Sequence, residues 1–205
     1  MISTFVKRCL ACNAGVLASY PFETMKVSVQ TRKKVDMMAG FEAPLVFGSL
    51  SNGVRFQLFS TLKSVSYFWA LVVAGSVQGF LEYPIQNIKL QRQINKKLYP
   101  GGQRIIYLKE LIGTMVHFYL FNLLQETFPE GGFLSAMNGG FSAGIAMSVV
   151  YPLDVFYVNY KTKNMMIEDS IEQGELWVGY QLNLLKTMVG YSVTMFIQSQ
   201  IIGGV

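Results

Sequence analysis

The stretch that decides the fold reads Tyr20-Pro21-Phe22-Glu23, and its pattern returns as Tyr83-Pro84-Ile85-Gln86 and Tyr151-Pro152-Leu153-Asp154. Successive prolines lie 63 and 68 residues apart, so three copies follow one another at nearly equal spacing. A fixed period of this kind is the signature of a repeat architecture. Proline inside a helix removes a backbone hydrogen bond and kinks the helix at that depth. We therefore predict three helices with kinks at Pro21, Pro84 and Pro152.

The composition favours a membrane environment. Of the 205 residues, 51% are hydrophobic and 14% are charged, whereas roughly 25% of the residues in an ordinary soluble domain are charged. Charge-free runs occupy 64–81, 111–125, 131–153 and 187–205, and a membrane-spanning helix needs about 18 apolar residues. Lys and Arg outnumber Asp and Glu by 17 to 12 and follow apolar segments. Anionic lipid is therefore the expected partner, and nucleic acid is not expected.

Each repeat is predicted to contain two helices. Gly48, Gly102 and Gly179 each open a further apolar segment after a proline. The predicted helices occupy 3–32, 48–67, 68–96, 102–125, 133–163 and 178–202. The expected fold is an all-α membrane protein with six transmembrane helices, arranged as three tandem helix pairs with pseudo-threefold symmetry. A single domain covers 1–205, with repeats at about 1–67, 68–128 and 129–205.

Small residues precede the second and third prolines at a spacing that brings helices together. The pairs Gly75/Gly79 and Gly140/Gly144 have the GxxxG spacing, which lets two helix backbones approach closely. The first repeat offers only Ala11/Gly15 at the corresponding place. We expect close helix contacts in the second and third repeats.

Charged and polar residues follow the prolines at a fixed interval. Glu23 and Lys26 stand three residues apart, so both lie on one helix face. The corresponding residues are Gln86 and Lys89 in the second repeat, and Asp154 and Tyr157 in the third. Buried charges are costly unless they are paired. We therefore expect bonds between these residues across neighbouring helices.

With these motifs the chain resembles the mitochondrial carrier family, whose signature Pro-x-[Asp/Glu]-x-x-[Lys/Arg] occurs three times. The copy at Pro21 is complete, the copy at Pro84 lacks its acid, and the copy at Pro152 lacks its base. The resemblance extends over the whole chain and implies a multi-pass protein of the mitochondrial inner membrane. It also implies a gate on the matrix side made of the pairs Glu23–Lys89, Lys26–Asp154 and Gln86–Tyr157.

The resemblance implies two further kinds of site. Substrate contacts would come from Arg55, Lys109, Glu110 and Lys186, which are in register on the second helix of each pair. Cardiolipin would bind at Gly48, Gly102 and Gly179, because free N–H groups at the starts of helices attract anions. Apart from this lipid, no cofactor and no metal are expected.

The chain departs from the family at the end opposite the prolines. Family members carry a second set of charged pairs there, but 67–71, 121–125 and 198–202 contain neither an acid nor a base. Alternating access requires two closed states of similar free energy, so losing one set of pairs should bias the bundle toward one state. We expect the matrix side to be closed, and the opposite side to be open or plugged by a neighbouring subunit.

Two functions follow from these features. The first is a non-transporting structural subunit of a respiratory-chain complex, since some respiratory complexes contain carrier-like subunits. The aromatic side chains of Phe56, Phe59, Phe68 and Trp69 would then contact partner subunits, or they would form an aromatic belt at the membrane interface. The alternative is a carrier that exchanges an anionic metabolite or an amino acid.

An enzyme is not expected. The lone His117 has no Ser, Cys or carboxylate at a telling spacing. Cys9 and Cys12 form a single CxxC, which we interpret as two small apolar helix residues rather than a zinc site.

Overall fold

The computed structural model describes residues 2–32, 34, 38, 40–95, 97–128, 131–172 and 174–202. Six long helices make up most of it: α1 Ile2–Thr31, α2 Ser49–Leu62, α3 Tyr67–Ile94, α4 Gln103–Thr127, α5 Gly132–Lys163 and, after the short α6 Ile167–Glu172, α7 Tyr180–Ile202. A π-helical turn, Pro44–Gly48, leads into α2, and a 3-10 turn, Glu175–Trp177, precedes α7. The long helices match the predicted ones closely, except that α2 ends earlier; the predicted end of α3, Lys96, lies outside the described residues.

The long helices form a closed ring. Each packs against its neighbours in the chain, and α7 packs against α1 to complete the ring. The short α6 and the 3-10 turn pack on α5 in the connection between α5 and α7. Helix α1 also touches α3 and α5 across the interior, so the three proline-containing helices meet inside the bundle.

The prediction of six transmembrane helices is wrong. Within the described part of the chain, α5 is the one helix that is long and apolar enough to cross a membrane. A charge-free run is not necessarily strongly hydrophobic: the part of the run 187–205 that lies in α7, for example, buries the polar residues Thr187, Thr194 and Gln198. The charge-free run 64–81 also begins in the turn before α3. The structure is therefore an all-helical bundle with one candidate membrane span.

The three proline-containing helices end in the same way. Each stops at a residue with left-handed backbone, namely Arg32 (φ 53°), Asn95 (φ 48°) and Asn164 (φ 56°). This conformation is uncommon for residues other than glycine, although asparagine tolerates it better than most. Each of these residues stands eleven or twelve positions after the proline of its helix. The repeat is thus visible in the backbone as well as in the sequence.

Glycines allow the helices to touch at several points. A Cβ atom added at Gly79 would lie 3.0 Å from Tyr107 Cα, so α3 and α4 meet closely there. The predicted approach at Gly140/Gly144 also occurs, against α7. The tightest backbone contact involves Gly15, where an added Cβ atom would lie 2.4 Å from the carbonyl oxygen of Gly190. The first repeat therefore depends on glycine at least as strongly as the other two.

Two apolar clusters occupy the two ends of the bundle. The proline-side cluster contains Val27, Leu90, Ile106, Tyr157 and Val158. The opposite cluster is larger and includes Cys12, Phe56, Phe59, Ala70, Leu71, Ala74, Phe118, Phe121 and Met195. Buried charged side chains lie between these clusters, and they form the candidate site.

Candidate functional site

A cavity of about 170 Å³ lies inside the ring. Its walls carry charged side chains from five of the six long helices: Glu23, Arg55, Glu82, Lys89, Lys109, Glu110 and Lys186. Three of these are carboxylates and four are cations. A charged solute could bind here only where one of these charges has no partner of opposite charge within the chain.

Glu23 binds three lysines from three helices. Its Oε1 atom accepts from Lys89 Nζ at 2.6 Å. Its Oε2 atom lies 2.6 Å from Lys186 Nζ and 3.5 Å from Lys26 Nζ. Glu23 is 4% exposed, so these contacts are shielded from water. The predicted contact with Lys89 is formed, and the contact with Lys186 was not predicted.

Asp154 is the second acceptor of the network. Lys26 Nζ lies 2.9 Å from Oδ2, and Lys109 Nζ lies 3.0 Å from Oδ1. Lys109 also contacts Glu110 at 3.1 Å. The predicted pair of Lys26 with Asp154 is therefore formed, and Lys109 adds α4 to it. Through Glu23 and Asp154, the network joins α1, α3, α4, α5 and α7.

The third predicted contact, between Gln86 and Tyr157, is wrong. Gln86 instead donates to Glu82 at 2.6 Å, one turn earlier on the same helix. Tyr157 donates to Asn87 Oδ1 at 3.0 Å. Glu82 is buried and also accepts from Gln78 at 3.2 Å, so two amides take the place of a cation. Sequence reasoning missed Glu82, although a carboxylate directly before the second Tyr-Pro pair was a visible signal.

The four residues predicted to contact a substrate all line the cavity, but each already forms an ion pair or a hydrogen bond within the chain. Lys109, Glu110 and Lys186 are paired within the network. Arg55 differs, since its Nη2 atom donates to the Tyr191 hydroxyl at 2.5 Å. Three rings surround its guanidinium at 5.2–5.5 Å from their centroids, those of Phe56, Phe118 and Tyr191. This geometry is a cation–π arrangement.

Two glutamines form hydrogen bonds between helices on the proline side of the site. Gln30 donates to the Tyr151 hydroxyl at 3.3 Å, and Gln93 donates to the Tyr20 hydroxyl at 3.4 Å. Each glutamine stands nine residues after the proline of its helix, and each tyrosine directly precedes a proline. Neither contact was predicted, even though the shared positions were readable from the repeats.

The end opposite the prolines is filled by the chain itself. The rings of Phe59 and Phe118 stack with centroids 4.1 Å apart, and Phe56 meets Phe118 edge-on at 5.3 Å. The expectation that Phe56 and Phe59 face partner subunits is wrong, because they are 3% and 5% exposed. Phe68 and Trp69 are exposed. An open or externally plugged end was expected here, but the structure closes it with aromatic packing.

The three glycines proposed as lipid sites have different geometries. Gly102 (φ 86°) and Gly179 (φ 81°) have left-handed backbone and directly precede α4 and α7. Gly48 is buried inside a continuous helix, since the π-helical turn Pro44–Gly48 runs directly into α2. The prediction of a helix start at Gly48 is therefore wrong, because its surroundings are helical on both sides.

Other reactive residues lie apart from the charge network. His117 is buried, and its Nδ1 atom lies 3.2 Å from Ser142 Oγ. Cys12 belongs to the larger apolar cluster, and Cys9 is partly exposed. The described residues contain no group of three or more His, Cys, Asp or Glu side chains that could hold a metal ion.

Comparisons with known proteins do not assign the chain to a family. Neither a protein-family model nor a curated protein matches this sequence.

Proposed function

We propose that this chain is a static, non-transporting structural subunit of a respiratory-chain complex in the mitochondrial inner membrane. One observation carries the proposal: Glu23 and Asp154 between them bind the four lysines Lys26, Lys89, Lys109 and Lys186. A solute carrier needs free charges to recognise a charged substrate. Here each of the four lysines already forms an ion pair with a carboxylate of the same chain.

Both ends of the bundle resist opening. Separating the proline side would break buried ion pairs, and breaking such a pair costs about 3–5 kcal/mol when one charge is left unpaired. Separating the opposite side would expose Phe59, Phe118 and their buried neighbours. Each fully exposed aromatic or aliphatic side chain costs roughly 1.5–3 kcal/mol. These costs favour one closed state over an alternation between two.

The outer surface suits a subunit that is covered by lipid and protein. Every long helix exposes large apolar side chains, including Leu17, Leu50, Phe80, Tyr119, Phe141 and Phe196. Extended apolar surfaces of this kind mark contacts with partners or membranes. In the proposal α5 contacts the bilayer, and partner subunits cover much of the remaining surface. Cardiolipin would contact the exposed cations Arg32, Lys97 and Arg104 near the proline side.

The mitochondrial setting rests on the three proline motifs and their resemblance to the carrier family. The same resemblance supports the alternative of a solute carrier, and the cavity of about 170 Å³ favours it. Arg55 would then bind an anionic metabolite or an amino acid, since its guanidinium contacts a hydroxyl and aromatic rings and forms no ion pair with a carboxylate of the described residues.

Native electrophoresis of gently solubilised mitochondrial membranes tests the proposal. We expect the tagged chain to migrate with a respiratory complex, and we expect deletion of the chain to lower the amount of that complex. The purified chain in liposomes should exchange no substrate. Migration of the 23.0 kDa chain alone, with saturable uptake of a carboxylate or amino acid, would contradict the proposal. Such uptake should then be lost in Arg55→Ala and Lys186→Ala but kept in Lys63→Ala, whose side chain is exposed.

A further inference from the structure

A second, smaller cavity of about 50 Å³ lies against α2, α4, α5 and α7. Three of its lining residues carry buried polar atoms without a hydrogen-bond partner: Arg55 Nε, Thr114 Oγ1 and His117 Nε2. Their side chains are 4%, 1% and 2% exposed. Buried polar groups are nearly always bonded to protein, water or a ligand. Three unpaired atoms around one cavity therefore point to an occupant.

Thr114 stands out among the buried threonines of the bundle. Thr24, Thr187 and Thr194 donate to the backbone carbonyl four residues earlier, which satisfies a buried hydroxyl within its own helix. The hydroxyl of Thr114 makes no such bond. It is therefore available to donate into the cavity.

His117 can supply a second donor. Ser142 Oγ lies 3.2 Å from His117 Nδ1 and also 3.2 Å from the carbonyl oxygen of Gly139. When the Ser142 hydroxyl donates its hydrogen bond to Nδ1 rather than to the Gly139 carbonyl oxygen, the neutral ring carries its own proton on Nε2. The Nε2–H group then faces the cavity as a donor, beside the Nε–H group of Arg55.

The charge around this cavity is positive. Arg55 and Lys109 are its cations, and Glu110 is its carboxylate. Glu110 is paired with Lys109 at 3.1 Å, whereas no carboxylate of the described residues lies within 4 Å of Arg55. A buried charge without a counter-ion is unfavourable by several kcal/mol. An anion in the cavity would provide that counter-ion.

We infer that one small monovalent anion occupies the cavity formed by Arg55, Thr114 and His117, as a structural counter-ion. The volume of about 50 Å³ admits a halide or a small carboxylate such as formate. The site adjoins the larger charged cavity, with which it shares Arg55, Lys109 and Glu110, whereas Thr114 and His117 line the smaller cavity alone. The anion is held there rather than transported. This inference does not depend on the proposed function.

Thermal unfolding of the purified chain tests the inference. The chain is held in sodium gluconate as the reference salt and is titrated at constant ionic strength with chloride, bromide or formate. We expect the unfolding temperature to rise and saturate, because a ligand that binds only the folded state stabilises it. A preference for chloride over formate would identify a halide site, and the reverse preference a carboxylate site. The same unfolding temperature in all four anions would overturn the inference.

Three variants separate the site from general salt effects. Thr114→Val keeps the side-chain shape and removes one donor, so the apparent anion affinity should fall about tenfold. Arg55→Gln should abolish the anion dependence, while the exposed Arg92→Gln should preserve it. An unchanged dependence in Thr114→Val would contradict the assignment. Anomalous scattering from bromide-soaked crystals gives a second readout, and water alone at this position would also contradict it.

Discussion

The ammonium group of Lys161 lies over the ring of Tyr83, 5.8 Å from its centroid. Lys161 stands nine residues after the proline of α5, as Gln30 and Gln93 do in α1 and α3. Each of the three contacts the tyrosine that precedes the proline of another helix. The contacts run from α1 to α5, from α5 to α3 and from α3 to α1. A closed cycle therefore joins the three proline-containing helices.

The cycle predicts how Lys161 can be replaced. Lys161 Nζ also donates to the carbonyl oxygens of Tyr99 and Gly101, at 2.6 and 3.1 Å. Lys161→Met removes both bonds, although the Tyr83 hydroxyl still donates to the Gly101 carbonyl oxygen at 3.0 Å. The variant should lower the free energy of unfolding by about 1–3 kcal/mol. Lys161→Gln keeps a donor and should cost less, since glutamine serves at the equivalent positions. Chemical denaturation in detergent measures both variants, and equal losses would refute the equivalence.

Glu23 should be the most sensitive carboxylate of the network. Glu23→Gln removes the charge that Lys89, Lys186 and Lys26 share, so we expect a loss of about 3–5 kcal/mol in the free energy of unfolding. Glu82→Gln is the matched control, because Glu82 is also buried but contacts only amides among its hydrogen-bond partners. Its loss should be clearly smaller in the same denaturation experiment. A Glu82→Gln variant as unstable as Glu23→Gln would argue against a special role for the lysines.

Gly15 should tolerate no side chain. The added Cβ of Gly15→Ala would press on the carbonyl oxygen of Gly190, and backbone cannot move aside cheaply. Overpacking of this kind costs about 1–3 kcal/mol. Gly131→Ala is the control, since nothing lies within 4 Å of its added Cβ. Thermal unfolding should separate the two variants, and a stable Gly15→Ala protein would mean that α1 and α7 pack less closely than described.

The aromatic packing at the end opposite the prolines should contribute strongly to stability. Phe118→Ala removes a ring that stacks on Phe59 and leaves a cavity, with an expected cost of about 3–5 kcal/mol. Phe68→Ala removes a ring that is 58% exposed and should change the free energy of unfolding little. Denaturant titration followed by tryptophan fluorescence compares the two. Similar stabilities would show that this end is looser than its packing indicates.

Much of the helix order could be predicted because the repeats mark it. The three prolines show which positions of the three helices are equivalent. The charged residues two and five positions after each proline were therefore expected to face one another inside the bundle. The contacts of Glu23 with Lys89 and of Lys26 with Asp154 join residues at these equivalent positions. The membrane spans could not be predicted in this way, since the absence of charge says little about buried polar residues such as Gln198 in α7.

The remaining contacts depend on packing that the repeats do not encode. Nothing in the sequence shows that Gln86 turns back to Glu82 rather than across to Tyr157. The link from Lys186 to Glu23 depends on how closely α7 approaches α1, which the contact of Gly15 with Gly190 determines. That glycine pair belongs to no GxxxG motif, so its importance became visible only in three dimensions.

The contact between Glu23 and Lys186 also constrains how the protein is made. Helix α1 leaves the ribosome before α7, and the intervening residues take roughly 10–30 seconds to translate at about 5–20 residues per second. During this interval Glu23 lacks one of its three lysines, and the face of α1 around Gly15 has no α7 to cover it. The ring of helices can therefore close only after α7 has been synthesised.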